Sequence, residues 1–273
     1  MNILVAAGII AVAVALTCSL LFAFHRLGTK DVLLVDTTRG AGVYAVVGTS
    51  FAVLLAFVVL VAFQSYNDAK AGAEAEADAV VELFRASEFF PSSQRRAIQG
   101  ELICYARAVV EREWPTMREG ERSSVVDRWG RTLQDSYQRL RVGTPREEVA
   151  FADVLKLSDA RVSARRARLS EATSEVTAPV WFILAVGAVV NIAFVLVFVD
   201  RRTEAFGVQA GLIATVTTMV VAGLLLVWFL DHPYEDSSGS IDPVEMERSL
   251  SVMRTEAPDV RAPCTPAGDP TSA

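Results

Sequence analysis

The chain has 273 residues, of which 52% are hydrophobic and only 21% are charged. Together with a mean hydropathy of +0.35, this composition excludes an ordinary soluble enzyme, a disulfide-dense toxin, a collagen and a disordered chain. The net charge of −6 arises in the C-terminal tail, because the segment from Asp231 onward carries three basic and nine acidic residues. No segment is basic enough to predict a nucleic-acid partner.

The first apolar block runs from about Ile3 to Phe24 and contains no charged residue. A signal peptide is the alternative, but such peptides carry a positive segment ahead of the apolar run and a small-residue cleavage site. Only Met1 and Asn2 precede this block, and His25 and Arg26 follow it directly. We therefore predict a retained transmembrane helix, since about 20 apolar residues span a bilayer.

The second apolar block, Tyr44 to Phe63, is predicted to continue as a helix well beyond the bilayer. Residues 64–87 are rich in Ala and Glu, which favour helix, and no proline interrupts them. Inside the block, Gly48-Thr49-Ser50 forms a small and weakly polar patch that favours close helix packing in lipid. Gly72 interrupts the apolar face of the extension and is a candidate weak point.

The polar insert that follows shows helical periodicity throughout. We predict helices from Ser92 to about Trp114, where Pro115 ends or bends the chain, from Ser123 to Leu140, and over 146–177, with Thr144 as N-cap. Four aromatic residues at helical spacing are expected in the core of this bundle rather than in a ligand pocket: Tyr105, Trp114, Trp129 and Tyr137. The result is an antiparallel helical bundle.

Two further apolar blocks, Pro179 to Val199 and Val208 to Leu230, are joined by the short link 200–204, which predicts a tight hairpin. Trp181 and Trp228 are expected at the same membrane interface. The tail is acidic and rich in proline. One short helix is predicted there at Pro243–Met253, and the last ten residues are predicted to be disordered.

The predicted fold class is therefore all-α: an integral membrane protein with four transmembrane helices and a helical-bundle insert between helices 2 and 3. We expect four parts. Residues 1–64 hold transmembrane helices 1 and 2, and 65–178 form a helical extramembrane domain. Residues 179–230 form the transmembrane hairpin, and 231–273 form the acidic, Pro-rich C-terminal tail.

The charges that flank the short loops favour an outward-facing insert. These basic residues are Arg26, Lys30, Arg39, Arg201 and Arg202. By the positive-inside rule their loops face the cytoplasm, so the N-terminus, the insert and the tail lie outside. Arg165, Arg166 and Arg168 near the third span argue for the opposite orientation. Long segments cross the membrane largely regardless of charge, so they carry less weight.

The chain has three cysteines, and none of their spacings suits a metal site. Cys18 lies inside the first span, whereas Cys104 and Cys264 lie on the same side of any four-span arrangement. An oxidising exterior would let Cys104 and Cys264 pair, and the alternative is two reduced thiols. His25 and His232 both follow apolar blocks and are expected at the interface. We therefore predict neither a metal nor any other cofactor.

Two sets of polar residues are candidate sites. Glu76 lies on a mainly alanine face. It is either an ion-attracting or gating carboxylate, or the buried partner of Arg165, Arg166 or Arg168. The second interpretation is favoured. In the membrane, Asn191, Thr215 and Thr218 are candidates for a polar path, although such residues more often hydrogen-bond within or between helices.

Short phrases of the sequence are similar to one known family. They are Tyr66…Ala69…Glu76-Ala77-Asp78-Ala79, Leu83-Phe84-Arg85, Leu102…Tyr105…Val109…Trp114, Arg165…Arg168-Leu169 and the hairpin after Pro179-Val180-Trp181. Over roughly residues 40–255 the chain resembles the bestrophin-like family of bacterial four-helix membrane proteins, a domain-of-unknown-function family seen often in actinobacteria. Bestrophins proper are oligomeric anion channels with a cytosolic helical domain. The resemblance thus implies a homo-oligomer with a pore, and an orientation opposite to the one that the charges favour.

The resemblance has limits at the level of residues. The acidic calcium clasp of bestrophins has no clear counterpart here. Their neck is lined by apolar residues of the second helix, but Phe51, Phe57 and Phe63 are six residues apart and cannot share one face.

Two functions remain after these observations. The first is an oligomeric, bestrophin-like ion channel in the bacterial inner membrane, in contact with the lipid bilayer. The alternative is a non-catalytic extracytoplasmic scaffold or sensor anchored by four helices. An enzyme is not expected, because the sequence contains no evident nucleophile–base pair or metal cluster.

Overall fold

The computed structural model describes residues 2–27, 37–172, 176–198 and 205–271. Over these ranges the chain is helical. The α-helices are α1 (Ile3–Leu27), α2 (Thr37–Ala86), α3 (Ser92–Ala108), α4 (Trp114–Met117), α5 (Ser124–Gln138), α6 (Pro145–Ser170), α7 (Ala178–Val197), α8 (Phe206–Asp231) and α9 (Val244–Glu256). Within the described residues, extended pairing is limited to one isolated antiparallel bridge between Cys264 and Pro270.

Four of the described helices, α1, α2, α7 and α8, are long and apolar enough to cross a membrane. Each corresponds to one of the apolar blocks of the sequence. The predicted fold class, an all-α membrane protein with four spans and a helical insert between the second and third, is confirmed.

The chain divides into two compact units. Unit 1 comprises the described residues within Met1–Ser65, Ser174–His232 and Asp236–Gly239. Unit 2 comprises those within Tyr66–Thr173, Pro233–Glu235 and Ser240–Ala273. Most of the C-terminal tail is therefore part of the same compact unit as the helical insert.

Unit 1 is built by helix packing among its apolar spans. α1 lies along α8, and α7 also packs on α8. Leu21 and Ile213 are almost fully buried at one of these contacts. At the end of α8 the rings of Trp181 and Trp228 lie 6.0 Å apart between centroids, so the two residues lie at the same end of the hairpin; their place at the membrane interface stays a prediction.

Unit 2 has one continuous apolar core. The C-terminal part of α2 contributes a buried face that includes Ala69, Ala77, Val80 and Leu83. The predicted aromatic residues of α3, α4 and α5 are buried in the same core. Burial of such a face, rather than helix propensity alone, is what holds a long helix in place.

Gly72 is a point of close helix contact, so its interpretation as a weak point was wrong. A Cβ atom at Gly72 would lie 2.9 Å from the backbone nitrogen of Arg168 and 3.2 Å from the carbonyl oxygen of Ala164. α2 and α6 therefore approach backbone to backbone at this turn, and only glycine leaves the room.

The chain around Pro115 departs from a simple helix end. Residues Val109–Glu113 form a π-helical turn between α3 and α4. Pro115 is then the second residue of α4, which follows this turn directly. The wider turn lets the helical path continue to Met117 instead of ending at Trp114.

The predicted disorder of the last ten residues is wrong for the part that the structure describes, up to Thr271. The Trp129 indole Nε1 donates to the carbonyl oxygen of Gly268 over 2.6 Å. Gly268 has a φ of +81°, and a Cβ there would lie 2.5 Å from the backbone nitrogen of Ala108. Specific backbone contacts therefore fix a segment whose composition alone suggested disorder.

The tail helix α9 is also docked within unit 2. Met246, Leu250 and Met253 are buried in the core, and the Ser249 hydroxyl donates to the carbonyl oxygen of Ala77 over 3.1 Å. The predicted helix Pro243–Met253 is thus present and extends to Glu256.

Some predictions concern residues outside the described ranges. Lys30, Arg201 and Arg202 are among them, as is the link 200–204. The orientation argued from these loop charges stays a prediction.

Candidate functional site

A mostly apolar cavity of about 450 Å³, with a few polar side chains in its lining, lies among the spans of unit 1. It is formed by α2, α7 and α8. Its polar side chains are Tyr44, Thr49, Asn191 and Thr215, and its apolar ones include Phe51, Leu55, Val216, Met219 and Val220. Of the three predicted polar candidates, the structure brings Asn191 and Thr215 together here, whereas Thr218 is not part of the lining.

Asn191 is only 4% exposed and is held by its own helix. Its Nδ2 donates to the carbonyl oxygen of Gly187 over 2.8 Å. Its Oδ1 lies 3.4 Å from the position that a Cβ on Gly48 would occupy, so the small patch of α2 provides the space for the amide. A buried amide with one bond to its own helix keeps acceptor capacity for the cavity.

The threonines of α8 differ in role. Thr215 donates from its hydroxyl to the carbonyl oxygen of Gly211 over 2.9 Å, as threonine in a membrane helix commonly does. Thr217, which was not among the candidates, is almost fully buried and donates to the hydroxyl of Thr17 over 3.3 Å. That contact joins α8 to α1 by a polar link inside the apolar packing.

The second predicted set lies in a buried network of ion pairs in unit 2. The Arg168 Nε atom donates to Glu76 Oε2 over 2.6 Å, and its Nη2 donates to Glu113 Oε2 over 2.6 Å. Both members of the Glu76–Arg168 pair have no exposed side-chain area. The Tyr105 hydroxyl donates to the other oxygen of Glu76 over 2.5 Å, so both of its carboxylate oxygens are satisfied.

Arg165 belongs to the same network but does not pair with Glu76. Its Nη2 lies 2.5 Å from Glu113 Oε1, and its Nη1 lies 2.7 Å from Asp127 Oδ1. Arg166 is exposed and is not part of this network. Because Glu76 is buried and bonded twice, its geometry favours a structural role over that of an ion-attracting carboxylate.

The charges of the network shift the pKa values of its members. Burial alone raises the pKa of Glu113, but the hydrogen bonds and charges of Arg165 and Arg168 outweigh it, so this pKa lies below its ordinary value. For Tyr105, burial and then the neighbouring Glu76 charge raise the pKa of the phenol. The network is therefore held with Glu113 ionised and Tyr105 neutral.

Glu113 is the residue of this network that sequence reasoning missed. The apolar stripe of α3 passes through Leu102, Tyr105 and Val109, and Glu113 is the next position at a spacing of four. A carboxylate on an apolar stripe is the signal that could have identified it, since an unpaired buried charge is costly.

The Cys104–Cys264 disulfide predicted from the sequence is present, with the two Cα atoms 5.8 Å apart. It joins α3 to the end of the tail, and both cysteines lie in the core of unit 2. Cys18 is a free thiol. Cys104 and Cys264 are 160 residues apart in the sequence, and the spans α7 and α8 lie between them.

The two histidines have ordinary hydrogen-bond partners. His25 Nε2 lies 2.8 Å from Gln209 Oε1, and His232 Nδ1 lies 3.0 Å from the carbonyl oxygen of Trp228. In the part of the chain that the structure describes, no group of three or more His, Cys, Asp or Glu side chains is placed to hold a metal ion.

Much of the surface of α2 within unit 1 is exposed, and one group of its exposed residues is aligned along the helix. At about 100° per residue, its members fall within an arc of about 80°, and all are exposed: Val46, Ser50, Val53, Phe57, Leu60 and Gln64. We call them the α2 stripe. Phe57 is 63% exposed, whereas Phe51 is 8% exposed and packs on Gly187. The three phenylalanines therefore do point in different directions, and only Phe57 belongs to the stripe.

Comparison with known proteins gives consistent results. A crystal structure of a bacterial bestrophin homologue from Klebsiella pneumoniae superposes with a TM-score of 0.68 at 12% identity, covering 93% of this chain and 99% of that chain. A structure described as a membrane protein gives a TM-score of 0.68 at 13% identity, covering 89% and 98%. At these identities the likeness establishes the fold. A search of curated proteins gave no match.

The family comparison covers most of the chain. The model of the Bestrophin-like domain matches residues 11–241, which include most of the first span, the other three spans and the helical insert. The resemblance seen in short phrases of the sequence therefore extends over most of the membrane architecture, and the chain belongs to the Bestrophin-like family.

Proposed function

We propose that the protein is an oligomeric ion channel of the bacterial inner membrane, in which α2 helices from neighbouring copies line the conducting path. Bestrophin homologues are oligomeric ion channels, and this chain has their fold and family. The proposal assigns the protein a conducting role and no catalytic step.

The observation that carries the proposal is the α2 stripe. It is mostly apolar, but it includes Ser50 within the membrane span and Gln64 at its end. Polar side chains in membrane helices commonly face other helices or a water-filled cavity rather than lipid. A ring of α2 helices would place Ser50 and Gln64 toward water, with Val53, Phe57 and Leu60 as an apolar constriction between them.

We further propose that the helical unit faces the extracytoplasmic side. Disulfides persist in oxidising compartments and are rare in the cytosol, and Cys104–Cys264 lies within this unit. The basic residues of the short loops favour the same orientation. This is opposite to the cytosolic helical domain of bestrophins proper.

Reconstitution tests the channel proposal. Native mass spectrometry of the detergent-solubilised protein should show a closed homo-oligomer, and liposomes that contain it should release trapped ions faster than empty liposomes. A monomer without ion flux would contradict the proposal and favour the scaffold or sensor alternative.

Orientation has its own experiment. When intact cells are alkylated under non-reducing conditions and the protein is then unfolded, Cys18 should be the only one of the three cysteines that is labelled. A periplasm-active reporter fused at Gly143 should be active, with a cytoplasm-active reporter at the same site as the control. Activity from the cytoplasmic reporter alone would reverse the orientation without affecting the channel proposal.

A further inference from the structure

A cleft of about 370 Å³ on unit 2 is lined mainly by arginine. It lies between α5 and α6. Its charged residues are Arg122, Arg131, Arg161, Arg165, Arg166 and Asp127. Five guanidinium groups and one carboxylate therefore converge on one small volume.

Arg161 forms the floor of this cleft and is the unusual member. It is 3% exposed, and its guanidinium lies 4.6 Å above the ring centroid of Tyr105. Its Nε atom is buried and has no hydrogen-bond partner among the residues that the structure describes. A buried arginine normally has a carboxylate partner, because an unpaired buried charge is costly.

Comparison with Arg168 shows that Arg161 lacks a carboxylate partner. Arg168 is equally buried on the same helix, but it binds Glu76 and Glu113. Asp127, the carboxylate of the cleft, is 2.7 Å from Arg165, which also binds Glu113. In the described part of the chain, Arg122, Arg131, Arg161 and Arg166 have no ion pair with a carboxylate.

The floor of the cleft is open above Arg161. Gly130 on α5 faces it, and a Cβ at Gly130 would meet only the Arg161 Nη1 atom, at 4.0 Å. No side chain at this position stands between Arg161 and the cleft, so Arg161 belongs to the lining although it is largely buried. The rim residues Arg122, Arg131 and Arg166 are exposed and are free to turn toward a bound anion.

We propose that this cleft binds an anion that carries a phosphate group. The planar arginine fork matches phosphate oxygens in bidentate pairs, and a phosphate monoester offers three such oxygens and close to two negative charges. The volume lies within the range of small-molecule sites, about 300–1,000 Å³, which leaves room for an organic group beyond the phosphate. Leu169 and Val162 provide an apolar side for that group.

The test is calorimetric titration of the whole detergent-solubilised protein with inorganic phosphate and with glycerol phosphate, against chloride at matched ionic strength. Both phosphates should bind and chloride should not compete at equal concentration. Nanodiscs with phosphatidylglycerol or phosphatidylcholine distinguish a free phosphate from a lipid headgroup: competition only by phosphatidylglycerol would assign the site to lipid.

Variants locate the binding. Gly130→Glu places a carboxylate above Arg161 and should weaken phosphate binding at least about tenfold, since charge-assisted contacts are lost. Gly130→Ala should remain within about twofold, because its Cβ makes only an ordinary contact. Arg131→Gln with Arg166→Gln should also weaken binding about tenfold, while exposed Arg128→Gln on the same helix α5 should not.

Unfolding curves of the variants show whether a loss of phosphate binding comes from a loss of folding. All of these positions are exposed or half-exposed, so each variant should show a cooperative unfolding transition without phosphate. The rim and Arg128 variants should match the wild-type midpoint, whereas the two Gly130 variants should unfold at or above it, because glycine is unfavourable inside a helix. Absence of phosphate binding, or equal binding by Gly130→Glu, the double rim variant and Arg128→Gln, would overturn the proposal.

Discussion

Arg168 donates from Nε to Oε2 of Glu76 over 2.6 Å, and neither side chain has exposed area. The pair joins α6 to α2 at the turn where Gly72 lets the two helices approach closely. Removing one member of such a pair leaves the other charge buried without a full set of partners, which is the most costly change at a buried ion pair.

Glu76→Gln is therefore expected to destabilise unit 2 by about 3 kcal/mol, because Arg168 would retain only Glu113. Denaturant unfolding of the purified protein in detergent measures it. Arg166→Gln, on the exposed side of α6, is the matched control and should change the unfolding free energy by less than about 0.5 kcal/mol. Equal effects of the two substitutions would contradict a structural role for Glu76.

The same network predicts sensitivity to acid. The pKa of Glu113 is lowered in the folded protein, so its contribution to stability is present above the unfolded-state value and is lost as the pH falls through the folded value. The unfolding midpoint should therefore drop as the pH is lowered below the ordinary carboxyl value of 4.5. Glu113→Gln should reduce that pH dependence, whereas exposed Glu111→Gln should leave it unchanged. If the midpoint of Glu113→Gln fell with acid as steeply as that of the wild type, other groups would dominate the pH dependence.

The membrane-spanning helices could be predicted from the sequence because they depend on local patterns. Four uncharged runs of spanning length predict α1, α2, α7 and α8, and Thr144 followed by Glu147 predicts the start of α6, where the capping box is present. Glu76 could be assigned to a buried face because alanines surround it at helical spacing.

The arginine that pairs with Glu76 could not be predicted from local patterns. Arg165, Arg166 and Arg168 lie close together in sequence, and only the rotation of α6 against α2 decides which of them meets Glu76. Glu113 continues the apolar stripe of α3, but its partners Arg165 and Arg168 lie on α6, so its pairing also depends on a tertiary contact. The arginine cleft depends on α5 meeting α6 opposite Gly130, which is a tertiary contact that no local pattern encodes.

The disulfide gives a third prediction. Cys264→Ser should lower the unfolding midpoint, because the bridge restricts a loop of 160 residues in the unfolded chain. The chain-entropy estimate for such a loop is about 5 kcal/mol as an upper figure. Cys18→Ser removes a free thiol and is the control. A reductant should reproduce the effect in the wild type but not in Cys264→Ser, and two additional alkylated thiols in unreduced, unfolded protein would disprove the bridge.

Within the membrane, Asn191→Leu tests the cavity among the spans. The substitution removes the hydrogen bond to Gly187 within α7 and replaces a polar lining group, so we expect a loss of about 0.5–1.5 kcal/mol in unfolding free energy. Thr218→Val, on α8 but outside the lining, should have a smaller effect. If Asn191→Leu proved neutral or stabilising, the amide would not contribute to the stability of the membrane helices.

The most direct measurement of the channel proposal is single-channel recording of the reconstituted oligomer with Phe57→Ala compared with Phe63→Ala. Both phenylalanines are exposed, at 63% and 49%, but they lie about 120° apart around α2, and only Phe57 belongs to the α2 stripe. If the stripe lines the path, Phe57→Ala should widen an apolar constriction and raise the unitary conductance, while Phe63→Ala should leave it at the wild-type value. Absence of conductance in the wild-type oligomer, or identical conductance in both variants and the wild type, would contradict this assignment.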